Sequence, residues 1–123
     1  MFGRLKAIFS GGGSQRSDVA PNIETILKPD APFYAIGDIH GCLGLLDSLL
    51  AKIEAENQGG APTIFLGDYI DRGKQSAQVL TRIFELNQTA PDKYVCIMGN
   101  HEKMMLEFID DPAGRGARWL VNG

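Results

Sequence analysis

Three short polar motifs carry the residue types from which an active site could be built. They read GDIHG at 37–41, GDYIDRG at 67–73 and GNHE at 99–102. Each follows an apolar run, and they recur at an interval of about 30 residues, the length of one strand-plus-helix repeat. Both histidines of the chain lie within these motifs. This coincidence favours one assembled site over three unrelated surface turns.

The side chains of these motifs predict a metal centre. Asp38 and His40 are two residues apart, so in an extended turn both can point to the same side. Carboxylate, imidazole and amide oxygen donors suit Mn²⁺, Fe or Zn²⁺. Asp68 belongs to the middle one of the three motifs, and its two carboxylate oxygens could bridge two cations. We therefore predict Asp38, His40, Asp68 and Asn100 as metal ligands.

A pair of cations at such a site indicates phosphoester hydrolysis. It would orient the phosphate, stabilise its charge and lower the pKa of a bridging water, so that hydroxide exists near neutral pH. His101 could protonate the leaving oxygen, with Asp71 to orient it and stabilise its cationic form. Arg72 offers a planar fork for two phosphate oxygens. The predicted catalytic residues are therefore His101, Asp71 and Arg72.

Each motif taken alone has a purely structural interpretation. Gly-Asp after a strand is commonly a turn with a helix cap, and a single histidine is commonly part of a core or surface. The stretch 67–74 also superficially resembles a phosphate-binding loop. It has five residues instead of four between the glycines, and Gln75 follows where Ser or Thr should bind Mg²⁺. The prediction therefore depends on the recurrence of the motifs.

The elements that position these motifs alternate between strand and helix. Apolar, β-prone runs at 33–36, 63–66 and 94–98 predict buried strands. Apolar residues at helical spacing follow each strand. The order β-α-β-α-β-α predicts an α/β fold with parallel strands, right-handed crossovers and helices on both faces of the sheet. The motifs then lie at the carboxyl edge, where open α/β sheets bind ligands.

Composition and charge restrict the classes of function. The chain has 123 residues, of which 44% are hydrophobic and 22% charged, as in ordinary globular domains. A net charge of −3 gives no electrostatic reason to expect nucleic acid or a membrane surface as partner. Cys42 and Cys96 match neither a redox pair nor a zinc ribbon, which favours free thiols and a cytoplasmic location.

The N-terminal segment differs in composition from the rest of the chain. Residues 10–17 read SGGGSQRS, which is typical of a flexible linker. We therefore predict a flexible tail and linker over 1–31 and a folded domain over 32–123.

The three motifs together resemble those of the calcineurin-like metallophosphoesterases, and within them the bacterial type of phosphoprotein phosphatases. The resemblance implies that Asp38 and His40 bind the first metal, that Asp68 bridges and that Asn100 binds the second metal. It also implies the following roles at the other motif residues: proton donation by His101 with Asp71 as its partner, and phosphate binding by Arg72.

The chain departs from the family pattern towards its C-terminus. The family's second metal also takes two histidines from later segments, whereas this chain has no histidine after His101. The closing residues 119–123 look like the start of a segment of the bacterial enzymes. The resemblance thus implies that residues 32–123 form the truncated N-terminal half of the family's β-sandwich, which is flanked by helices. It also implies that this fragment is inactive when isolated.

The function that the resemblance implies is hydrolysis of phosphomonoesters, foremost phosphoserine and phosphothreonine in proteins. The nucleophile would be a hydroxide activated by two divalent metal ions. Mn is the expected metal, with Fe or Zn as alternatives. The expected partner is a phosphoprotein or a phosphorylated small molecule, with no nucleic acid and no membrane. Two alternatives stay open: a dinucleoside tetraphosphate hydrolase, and a catalytically incomplete fragment that binds a metal or a partner protein.

Overall fold

The computed structural model describes residues 31–123, so the predicted tail and linker lie outside the described residues but for residue 31. Three short strands form one parallel sheet in the order β1-β2-β3. The predicted parallel sheet is confirmed, and its strands are β1 (Tyr34–Ile36), β2 (Thr63–Phe65) and β3 (Tyr94–Cys96).

Helices alternate with these strands, as the apolar spacing predicts. The bounds are α1 (Leu43–Glu56), α2 (Ser76–Thr89) and α3 (Asn100–Asp110), followed by a 3-10 turn (Arg115–Arg118) and the short α4 (Trp119–Asn122). The α/β class and the β-α-β-α-β-α order are therefore confirmed. None of these helices, all within 31–123, is long and apolar enough to cross a membrane.

The core lies between one face of the sheet and the first two helices. Leu46 and Leu50 of α1 pack in one buried cluster with Val79 and Ile83 of α2, and Phe65 of β2 is completely buried among them. Burial of these side chains removes apolar surface from water at about 25 cal/mol per Å². This cluster holds the strands in place and therefore sets the positions of the turns at their carboxyl ends.

The opposite face of the sheet is open. Leu66, Val95 and Ile97 project from it with 50%, 40% and 48% of their surface exposed. The prediction that helices cover both faces is therefore wrong for the described residues. Because the strands follow one another in a single direction, right-handed crossovers place α1 and α2 on the same face. After β3, α3 packs instead against the 3-10 turn and α4.

Candidate metal centre

The turns after β1 and β2 are tied together through their backbones. The His40 N–H donates to the Asp68 carbonyl at 2.9 Å, and the Gly41 N–H donates to the Tyr69 carbonyl at 2.8 Å. Gly73 then approaches the His40 carbonyl so closely that any Cβ at this position would clash with it. The first two motifs therefore form one interlocked unit at the carboxyl edge of the sheet.

These two turns contain unusual backbone conformations. Asp38, His40, Asp68, Asp71 and Arg72 all have positive φ, between 43° and 69°. This region disfavours residues with a Cβ by about 1–2 kcal/mol each. Such strain persists only where surrounding contacts impose it, and it concentrates at functional sites. The strained positions coincide with predicted site residues in the first two motifs.

Two of the predicted ligands meet a predicted proton donor at this edge. Among residues 31–123, the group whose candidate ligand atoms all lie within 4.8 Å of one another consists of His40, Asp68 and His101. The two imidazole rings are nearly perpendicular, with centroids 4.8 Å apart. The predicted ligand Asp38 is not part of this group and is exposed. Its role as a ligand stays a prediction.

The surroundings of His40 suit a metal ligand. Its Nδ1 lies 2.8 Å from the carbonyl oxygen of Ile70. Because a carbonyl only accepts hydrogen bonds, Nδ1 carries a proton, and in the neutral ring the lone pair then lies on Nε2. A backbone carbonyl behind the ring is a common way to fix the orientation and tautomer of a ligating histidine. His40 therefore presents Nε2 as a ready donor atom.

His101 has a carboxylate behind it instead. Its Nδ1 lies 2.7 Å from Oδ2 of Asp71, and 4% and 11% of the two side chains are exposed. The structure thus brings together the two residues predicted to act as proton donor and partner. This arrangement fixes the ring and leaves Nε2 as its second functional atom, which could serve proton transfer or metal binding.

The amide of Asn100 lies against the carboxylate of Asp68. With its nitrogen towards Asp68, it donates to the two carboxylate oxygens at 3.2 and 3.1 Å. With its oxygen towards Asp68, three oxygen acceptors meet, an arrangement that a divalent cation stabilises. Together with the free Nε2 of His40, these donors fit a divalent metal ion.

Glu102 is a site residue to which sequence reasoning assigned no role. It is completely buried and accepts four backbone hydrogen bonds, from Asp68 (2.8 Å), Tyr69 (2.7 Å), Ile70 (3.2 Å) and Gly99 (2.9 Å). The carboxylate thereby clamps the turn after β2 to the turn after β3. An acidic residue in the first turn of a helix, three positions after a glycine, is the signal that could have revealed part of this role.

Tyr69 links the strand ends beneath the site. Its hydroxyl donates to the carbonyl oxygens of Phe65, at 2.9 Å, or Ile97, at 2.6 Å. Burial raises the pKa of Tyr69 well above its ordinary value. The phenol therefore stays protonated and remains a donor at any physiological pH.

The predicted phosphate ligand lies at the rim of the site. Arg72 is exposed and follows Asp71 in the same strained turn, with φ 63°. The position leaves the guanidinium accessible to an anion from solvent. The role of Arg72 as a phosphate ligand stays a prediction.

Comparison with known proteins places these motifs in a family. The family model described as calcineurin-like phosphoesterase matches residues 31–122. The chain is also 33% identical over 94 residues to an uncharacterized protein of Caenorhabditis elegans, a match that covers 69% of this chain and 37% of the relative. The chain thus spans little more than a third of the length of that relative.

Proposed function

Because the chain belongs to the calcineurin-like phosphoesterases, we propose that it contributes active-site residues for metal-dependent hydrolysis of phosphate monoesters. The observation that carries this proposal is the group formed by His40, Asp68 and His101 at the carboxyl edge of the sheet, with Asp71 bonded to His101. The ring of His101 also packs edge-on to that of the predicted ligand His40, with centroids 4.8 Å apart.

The residues that would hold the metals are Asp38, His40, Asp68 and Asn100, with Asp68 shared between two ions. These donors suit Mn²⁺ best, with Fe or Zn²⁺ as alternatives. When bound, the ions supply an activated water as nucleophile and neutralise charge on the phosphate. The chain's own contribution is to hold the donor atoms in place, and Glu102 does this by fixing the backbone of Asp68.

His101 would supply the proton for the leaving group. As the bond between phosphorus and the leaving oxygen breaks, its electron pair stays on that oxygen, and Nε2 of His101 donates the proton that neutralises it. Asp71 keeps Nδ1 protonated and the ring in one orientation. Arg72 would bind two phosphate oxygens through its planar guanidinium.

The substrate class that we propose is phosphoserine or phosphothreonine in proteins. The support is the resemblance of all three motifs, in order and spacing, to those of the phosphoprotein phosphatases. We also propose a cytoplasmic location, since Cys42 and Cys96 are both free thiols. A phosphopeptide and a dinucleoside tetraphosphate assayed in parallel distinguish this class from the alternative hydrolase activity.

The test separates proton transfer from metal binding. Because the resemblance implies that the fragment is inactive by itself, turnover is measured in a protein that also carries the later segments of the family. There we expect His101→Gln to lower kcat on a phosphoserine peptide by about 100-fold or more while the Mn²⁺ affinity, measured by calorimetry, stays the same. A parallel loss of Mn²⁺ affinity would make His101 a ligand instead, as its place in the group allows. Asp47→Asn is the control, because Asp47 pairs with Arg82 on the helical surface.

The same experiment tests the rival hypothesis of a catalytically incomplete fragment. Under that hypothesis the protein binds Mn²⁺ but turns over neither substrate even with the later segments present, in the wild type as in the variant. A wild-type chain that binds no Mn²⁺ would contradict both the metal centre and the hydrolase proposal.

A further inference from the structure

Trp119 donates a hydrogen bond to the partner of His101. Its indole Nε1 lies 2.8 Å from Oδ2 of Asp71. The same oxygen lies 2.7 Å from Nδ1 of His101. One carboxylate oxygen therefore accepts from both a histidine and a tryptophan, and the two donors approach from segments that are distant in sequence.

The tryptophan is held firmly in this position. Its ring packs on Phe108 of α3, with centroids 5.3 Å apart and planes inclined by 59°. Gly116, in the 3-10 turn just before, lies so close to the backbone of Phe108 that any Cβ would clash with it. The α3 helix thus carries His101 in its first turn and, further along, the residue against which Trp119 packs.

Asp71 needs such support because its own backbone is strained. It has φ 69°, in the left-handed region that disfavours residues with a Cβ, and its backbone N–H donates to Oγ of Ser76 at 3.1 Å. The side chain of Asp71 is only 11% exposed, so water has little access to replace a lost donor. The Trp119 N–H therefore restricts the carboxylate to the orientation that meets His101.

We propose that Trp119 is a positioning residue of the active site. Its indole N–H holds the Asp71 carboxylate in the orientation that forms the hydrogen bond with His101. Trp119 is then part of the site, although it lies outside the three sequence motifs. The inference about geometry stands on contacts within the chain. Its consequence for turnover rests on the proposed function, in which His101 protonates the leaving oxygen.

The first test needs no turnover. The chain has two histidines, so ¹⁵N-histidine labelling followed by NMR at one fixed pH observes two rings, assigned with His101→Gln. We expect Trp119→Phe to accelerate solvent exchange of the His101 Nδ1 proton by about tenfold, the effect of one hydrogen bond. The exchange rate at His40, whose Nδ1 bonds to Ile70, should stay unchanged.

Two further proteins keep this test decisive. Because Trp119 is the only tryptophan, the chain can be produced with 3-benzothienylalanine, which preserves the double ring and replaces N–H by sulfur. It should reproduce the effect of Trp119→Phe even where the latter disturbs folding. Leu120→Ala, at a neighbouring residue that is 71% exposed, should have no effect.

The second test uses leaving groups of different quality. For the metal-loaded protein that also carries the later segments of the family, we expect Trp119→Phe to lower kcat about tenfold on phenyl phosphate and less than about twofold on 4-nitrophenyl phosphate, whose leaving group needs little protonation. The KM should not change. In an Asp71→Asn background, Trp119→Phe should cause no further loss, since both changes act through one carboxylate.

The results that overturn the proposal are specific. Unchanged His101 exchange in the sulfur analogue, together with faster exchange in Asp71→Asn, would reduce Trp119 to a packing residue. Equal losses on both esters, or additive losses in the double variant, would also overturn it. If the wild-type protein with the later segments hydrolyses neither ester, the proposed function fails, while the NMR result still decides the role of Trp119.

Discussion

The turns that follow the three strands share a sequence pattern but differ in backbone conformation. The turns after β1 and β2 contain all five non-glycine residues of positive φ found between 31 and 123. The turn after β3 enters α3 directly at Asn100. The helix that begins there carries Glu102 in its first turn, and the carboxylate of Glu102 accepts hydrogen bonds from the strained turn after β2. A regular element can thus stabilise an irregular neighbour that carries the site.

The two histidines extend the same comparison. His40, in the first turn, is backed by a neutral carbonyl, whereas His101, in the third, is backed by a carboxylate. The residues are chemically identical, and their different partners suit one to metal binding and the other to proton transfer. The following experiments can break or refine this comparison of the turns.

The largest effect is expected at the centre of the second turn. Asp68→Asn removes the charge shared by the predicted metal ions, and we expect the Mn²⁺ affinity to fall about a thousandfold, or about 4 kcal/mol. Calorimetry of wild type, variant and the control Asp47→Asn measures this loss. Unchanged Mn²⁺ binding by Asp68→Asn would contradict the central role of this carboxylate.

A smaller effect is expected where the third turn supports the second. Glu102→Gln replaces one carboxylate oxygen by an NH₂ group that faces backbone donors, so the metal-free protein should lose about 3 kcal/mol of its free energy of unfolding. Urea denaturation measures the change. Glu107→Gln is the matched control on the same helix, since the ion pair that Glu107 forms within residues 31–123 is a long one, to Lys103 at 3.9 Å. Equal losses in both variants would refute the clamp.

Two equivalent glycines allow a direct comparison of the first and second turns. Gly67 has φ +102°, and a Cβ there would clash with the Gly99 backbone, whereas a Cβ at Gly37 would meet only Leu66 at 3.6 Å. We expect Gly67→Ala to cost about 2 kcal/mol of the free energy of unfolding, and Gly37→Ala less than about 0.5 kcal/mol. Thermal denaturation of the two variants side by side would reveal any reversal of this order.

The smallest effect concerns the strain at the rim. Arg72→Gly and Arg72→Ala both remove the guanidinium, but only glycine tolerates φ 63° without a steric penalty. The free energy of unfolding should therefore be about 1 kcal/mol higher for Arg72→Gly than for Arg72→Ala. Both should bind inorganic phosphate more weakly than wild type in the presence of Mn²⁺. Equal stability of the two variants would show that Arg72 is not strained in solution.

Much of the fold could be predicted because it depends on local patterns. Short apolar runs and helical spacing predict β1 to β3 and α1 to α3 from neighbouring residues alone. The open sheet face could not be predicted in this way. Whether successive crossovers lie on one face or on both depends on the direction in which the strands are added to the sheet, and no local pattern records that direction.

The sequence by itself determined which chemical groups stand at the strand ends, since the motifs at 37–41, 67–73 and 99–102 need only their strands to bring them to one edge. The tertiary structure decided which of these groups meet. The contacts of Glu102 with residues 68–70 and of Trp119 with Asp71 join positions about 30 to 50 residues apart. Such contacts depend on how the packed core orients the strands and helices that carry them, because local conformational preferences extend over only a few residues.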